Sequence, residues 1–300
     1  MFKKVHLMIP FFIIFLSTQI FAQGGLLKRV AVVNFEDKSG YGHNIGEGIA
    51  DMLVTSLVES KKFMVIERAE LDEILKEQGL GLSGTVTPQS AAQVGQLLGV
   101  ELMVTGSVSE FGEKKGKVGG GLGRLSGLNI GVSKKSARVA VDIRLVNTST
   151  GEIAMAKSAV GEDKTTGLDN VGIADIDFHN STTWDKTQLG KASRKSIEQC
   201  VDYISEAMKD IPWEGKVILV KDNMIYMKPG SKGGVNAGME FSVFRPGEEL
   251  IDPDTGISLG SEEMKIGTIQ VTADVPGGKA CRAIIKTGTG FQKGDVIRKK

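Results

Sequence analysis

Few side chains in these 300 residues could make or break bonds, and their spacing argues against it. Three histidines occur, His6, His43 and His179, and the latter two fall in polar loops with no partner at metal-ligand spacing, so solvated imidazoles are expected. Ser56, Ser83 and Ser107 have no His placed to act as the base of a nucleophile triad. Glu67-Arg68 sits at a strand end opening a helix. It could be a catalytic pair, but a helix-start carboxylate with a structural Arg partner is the simpler reading. Gly119 to Gly127 contains Gly-x-Gly spacings without a following Lys-Ser/Thr or helix, so it is no phosphate cradle. Asp252-Pro-Asp254-Thr-Gly256 has the look of a calcium loop. Its downstream carboxylate falls at Glu262 or Glu263, out of place for an EF-hand, and a hairpin turn is expected. Cys200 and Cys281 lie on apolar faces of separate segments, which points to buried free thiols rather than a disulfide. With no convergent set of titratable groups, the expectation is no enzyme, no cofactor and no metal site.

The work must then lie in surfaces, and the elements that present them can be read along the chain. Lys3 and Lys4 precede an apolar run from Leu7 to Leu16 and a more polar stretch ending in Ala22. That order is the layout of a secretory signal peptide over residues 1–22, shorter than the roughly 20 apolar residues of a membrane-spanning helix. No Cys follows the run, so lipid attachment at a new N-terminal Cys is not expected. The formal charge is +1, and falls to −1 when Lys3 and Lys4 leave, which argues against a nucleic-acid partner. Hydrophobic residues make up 41%, enough for a globular core, and the 39 glycines imply many turns and close backbone approaches.

Val30 to Phe35 is a nearly continuous apolar run and predicts a buried strand. Ile45, Ile49, Met52, Leu53 and Leu57 recur at helical spacing after a polar loop, Glu36 to Asn44. Phe63 to Ile66 predicts a strand, Leu71 to Leu75 a helix stopped near Gly79, and Thr87-Pro88 the start of another, ended by Gly99. Leu102 to Phe111 returns to strand. Arg138 to Asn147 alternates cleanly and turns at Thr148 to Gly151 into Ile153 to Val160. Leu189, Ile197, Cys200, Val201, Ile204 and Met208 stripe a long helix ended by Pro212. The fold class is therefore α+β over 28–212, helices packed on a mixed sheet. From Gly215 to the end, short apolar runs alternate with turn signals such as Asp222-Asn223 and Pro229-Gly230, with no helical period. That texture predicts a small all-β barrel of about five to seven strands over 215–300. Two stretches, 112–135 and 161–186, fit neither core and read as long irregular insertions at adjacent strand ends.

Taken in order, Val30-Ala-Val-Val-Asn-Phe35, Gly48 to Leu53, Phe63 to Arg68, Leu98-Gly-Val100, Val104 to Val108, Val139 to Glu152 and Leu189-Gly-Lys-Ala192 resemble the curli production assembly/transport, or CsgG-type, family over about residues 28 to 210. The tail from Gly215 is similar to the C-terminal barrel of a flagellar assembly envelope protein. The family resemblance implies an exported, non-enzymatic protein of the periplasm or outer membrane. It would self-associate into a homo-oligomer, contact other envelope proteins or secreted cargo, and associate with the outer membrane through two hairpins beside the sheet. The insertions occupy the matching positions. Leu128, Ile130 and Val132 alternate with Asn129, Gly131 and Ser133, so Leu122, Leu125, Leu128, Ile130 and Val132 are the residues placed to enter a membrane or a partner. Arg124 would share a face with Leu122, at a cost of about 2–4 kcal/mol near mid-bilayer. The second insertion carries Glu162, Asp163, Lys164, Asp169, Asp175 and Asp177 on both faces, which is not a lipid-facing pattern. Tyr41 is the only aromatic residue in the loop that matches the family's pore constriction. Two readings follow: a self-associating assembly or transport component of a curli-like secretion system, or a soluble periplasmic scaffold that docks onto another envelope machine without forming a pore.

Overall fold

A computed structural model describes residues 25–42, 44–66, 99–118, 132–166, 184, 186–251, 253 and 258–300. The chain opens with β1 (Lys28–Val32), β2 (Glu36–Asp37), α1 (Ile45–Ser60) and β3 (Phe63–Val65). Three long strands follow, β4 (Leu102–Val118), β5 (Val132–Asn147) and β6 (Ile153–Thr166), then α2 (Gln188–Asp210). The sheet order is β3-β1-β4-β5-β6, with β2 added to β4 beside β1. β1 runs parallel to both of its neighbours, whereas β4, β5 and β6 are antiparallel, so the sheet is mixed as its sequence pattern predicts.

The helices form where apolar spacing dictates. Ile45, Ile49, Leu53 and Leu57 are buried on one face of α1, which ends at Lys61 in a left-handed conformation. α2 starts on Thr187, whose hydroxyl accepts the Gly190 N–H at 2.9 Å. Leu189, Ile197, Cys200, Ile204 and Met208 of α2 meet Val139, Val141, Ile143 and Leu145 of β5 in one core with α1. At Gly161 the helix lies against the strand itself: a Cβ there would fall 1.8 Å from the Ala192 carbonyl oxygen, so only glycine fits. Helices cover one face of the sheet. The other keeps a shallow groove of about 400 Å³ lined by Asn34, Glu36, Thr105, Ser107, Asp142 and Arg144.

Two sequence expectations differ from the structure here. The apolar run at Val30 to Phe35 is strand only to Val32; Val33 still donates to the Val104 carbonyl at 3.0 Å, and ladder pairing with β4 resumes at Glu36. The first and last parts of the stretches read as irregular, 112–118, 132–135 and 161–166, are strand. β4 and β5 pair from Leu102↔Asn147 to Val118↔Val132 with one register shift between Val108 and Glu110, and β6 follows β5 to Lys134↔Thr166. Their glycines and lysines carry little strand propensity, so the neighbours impose the conformation.

The remaining chain supplies β7 (Glu214–Lys221), β8 (Met224–Lys228), β9 (Glu240–Ile251), β10 (Ser258–Asp274), β11 (Cys281–Gly288) and β12 (Val296–Lys299). Their pairing closes into a barrel in the order β10-β11-β8-β7-β12-β9. Its own core includes Trp213, Val217, Ile225, Met227, Phe241, Val243, Ile269 and Ile297. Asp222 and Asn223 both take positive φ in the two-residue turn between β7 and β8, as their side chains allow. β12, too short to read from sequence, is launched by buried Asp295, which holds Arg245 at 2.9 Å and the Gln292 N–H at 2.8 Å.

Candidate assembly surfaces

β4, β5 and β6 pair as a three-stranded continuation of the sheet past the aromatic end of its core. An aromatic group marks where it leaves the core. The Phe111 ring stacks on Trp184 with centroids 6.2 Å apart, and Tyr41 meets Phe111 edge-on at 4.6 Å. Burial, then Glu113, pushes the Tyr41 phenol above its ordinary range. Its loop is held shut by the Asp37 carboxylate, which accepts from the Ser39 hydroxyl at 2.6 Å, the Ser39 N–H at 2.9 Å and the Gly42 N–H at 2.8 Å. Those bonds, the Ser39 hydroxyl first, draw the carboxyl below its usual range.

Past the aromatics the strands become charged. Arg138 is gripped by Glu110 on one neighbour and Glu162 on the other. Glu162 also pairs with Lys164 at 3.2 Å, and Lys195 of α2 reaches Asp163 at 3.0 Å and the Glu162 carbonyl at 2.8 Å. The carboxylates raise the Arg138 pKa, Glu110 first, while Lys164 and then Arg138 lower that of Glu162. Of the residues expected to enter a membrane or partner, Val132 begins β5 opposite Val118. Leu122, Leu125, Leu128 and Ile130 lie outside the described residues, as do residues 1–24 and most of the second insertion.

β6 is an edge strand, and a long bare edge invites pairing with other chains. A helix side chain closes part of it: the Gln199 amide donates to the Val160 carbonyl at 2.8 Å and accepts its N–H at 3.2 Å, taking the place of a neighbouring strand. A lone Gln beside an apolar helix stripe is an indistinct signal in a sequence, and this function was missed there. So was Arg29–Glu101, which links the start of β1 to the start of β4.

Among the described residues no group of three or more His, Cys, Asp and Glu could hold a metal ion. The three histidines, Ser83, Glu67 and Arg68 lie outside them. Ser107 lines the open groove and Ser56 a smaller one beside Glu59 and Arg194. Cys200 and Cys281 are buried free thiols in separate cores, each pushed up to about 12, by burial alone for Cys200 and by burial with Asp274 for Cys281. No described helix is long and apolar enough to cross a membrane, which leaves strands untouched by that test.

Comparison with known proteins adds four findings. The chain is 30% identical over 149 residues to the curli production assembly/transport component CsgG of Salmonella typhimurium, covering 45% of this chain and 52% of that protein. It thus spans about half the length of the CsgG relatives it matches. A putative lipoprotein of Neisseria meningitidis serogroup B is 24% identical over 198 residues, 63% of this chain and 80% of the relative. Among solved structures, lipoprotein GNA1162 of Neisseria meningitidis is similar at a TM-score of 0.34 and 17% identity, covering 61% of this chain and 99% of that one. Residues 20–219, two thirds of the sequence, match the family described as curli production assembly/transport component CsgG, and the chain belongs to that family.

Proposed function

We propose that this protein is an exported, non-enzymatic component of the cell envelope that self-associates and serves assembly or transport of the curli type at the periplasmic face of the outer membrane. The observation that carries the reading is the continuation of β4, β5 and β6 beyond the helix-covered sheet. Seven residues of β4 lie past Phe111, a reach of about 24 Å. Its strands pair in register, and among the described residues past Phe111 they add only Ala137 to a core, which suits elements completed by other copies or by a membrane. Membership of the family supports the same role. Envelope fractionation with sizing of the detergent-extracted protein tests it. The expected result is recovery in the outer-membrane fraction as a particle several times the mass of one chain, and a strict monomer by light scattering would refute it.

A second reading is favoured by one observation, the charge on the described part of the continuation, with Glu113, Lys114, Glu162, Asp163 and Lys164. A soluble periplasmic scaffold docking through that charged surface and the barrel would leave the membrane fraction on a salt wash. Retention after the wash excludes it.

A further inference from the structure

The start of β1, the turn into β4 and the first hairpin of the barrel meet at one corner of the molecule, and three cations meet there with them. Lys216 on β7 and Lys228 on β8 are directly opposed in register, the arrangement in which like charges repel across strands. Arg29 reaches the same corner, donating to the Glu214 carbonyl at 3.0 Å. Gly99 lies between the heads of Arg29 and Lys228. It takes φ +69°, and a Cβ built there would sit 3.3 Å from Arg29 Nη1 and 3.9 Å from Lys228 Nζ, so both heads converge within 4 Å of one point beside the Gly99 backbone.

Arg29 has its own carboxylate in Glu101. Lys216 and Lys228 are half-buried, and among the described residues neither makes an ion pair or a side-chain hydrogen bond. Burial, Arg29 and Lys216 together push the Lys228 ammonium below its usual range. Folding alone gains nothing from such a grouping, and local conflicts of this kind are kept where function resolves them. The two uncompensated charges match the −1.5 to −2 of a phosphomonoester at neutral pH, roughly; a single carboxylate would leave one cation over.

We propose that Arg29, Lys216 and Lys228 form a binding site for a phosphomonoester, free or on a lipid headgroup, seated beside Gly99. The test is thermal melting of the full chain in inorganic phosphate against chloride of matched ionic strength. At a phosphate concentration ten times the dissociation constant the melting temperature should rise by about 3–6 °C. Lys228→Met and Lys216→Met should each abolish the rise, with melting in chloride unchanged or higher because repulsion is relieved. Lys221→Met, an exposed charge on the same strand, should keep it. Flotation with phosphatidylcholine vesicles, with and without phosphatidic acid, separates the sources. Binding that needs phosphatidic acid and Lys228 assigns the headgroup; a phosphate rise without such flotation assigns a free ligand. No rise beyond chloride overturns the site. So does an equal rise in both Met variants, which would mean an adventitious ion only.

Discussion

Removing one partner of the Arg29–Glu101 pair should cost far more than removing both. The two side chains are 8% and 5% exposed. Glu101 accepts three bonds from Arg29: the backbone N–H at 2.6 Å, Nε at 3.2 Å and Nη2 at 3.0 Å. Glu101→Leu strands a buried guanidinium that keeps only the Glu214 carbonyl, and a broken buried pair of this kind costs about 3–5 kcal/mol. Arg29→Met strands the carboxylate at a similar cost. Replacing both by apolar residues leaves no buried charge, so the double variant should recover most of the loss. At about 2–4 °C per kcal/mol, each single variant should melt roughly 6–20 °C lower. Urea unfolding of the four proteins closes the cycle, repeated in high salt, which should change little because the pair is shielded from water. The pair also ties the sheet to the barrel through Glu214, so loss should appear in signals from both cores, Trp184 and Trp213. A single variant within about 1 kcal/mol of wild type, or a double variant as unstable as the sum of the singles, would refute the reasoning.

Gly161→Ala should destabilise by about 3 kcal/mol or more, because the atoms it meets are backbone of α2 and cannot step aside. Gly112→Ala, with nothing within 4 Å, should stay within about 1 kcal/mol, and equal melting of the two would sink the claim. Gln199→Leu should cost about 1–3 kcal/mol and, by baring the β6 edge at Val160, make self-association by sedimentation rise with concentration. The Asp37 carboxyl is held below its usual range, so its contribution is fully present above the unfolded value of about 3.9 and is lost as pH falls through the lower folded value. Asp37→Asn should therefore flatten the acid limb of stability against pH, and an unchanged limb would count against it.

The elements that repeat within a few turns were the ones that could be read in advance. Four-residue spacing from Ile45 to Leu57 and the stripe from Leu189 to Met208 reflect each helix burying one face, a local property. Alternation from Arg138 to Leu145 assigned the core face of β5 correctly, since Val139, Val141, Ile143 and Leu145 join the helix-packed core, while Ala140 on the other face is buried outside it. Alternation does not name a strand's partner or its end. Lys114-Lys-Gly-Lys117 has the composition of a loop and becomes strand because β5 pairs it residue by residue. Arg29 and Glu101 are separated by 72 positions and meet only because β1 and β4 are neighbours. Tyr41 was singled out as a loop aromatic, and its packing on Phe111 depends on the same non-local assembly.

Charge on the continuation also limits how it could meet a membrane. A spanning strand needs about 10 residues, and a hairpin about twice that. Between Val118 and Val132 the sequence leaves about 13 residues, containing Leu122, Leu125, Leu128 and Ile130. If the hairpin spans, part of the paired region near Lys114 must lie within the barrel wall with its charges toward water; if it only dips in, the charged region stays outside. Single-cysteine labelling decides between contact and no contact, because Cys200 and Cys281 are buried and silent to a polar thiol reagent. In outer-membrane fractions, Lys114→Cys should label readily and Leu125→Cys should be protected by about tenfold or more, a difference that detergent removes. Equal labelling of the two before detergent would refute insertion and leave the polar docking scaffold as the reading of this family member.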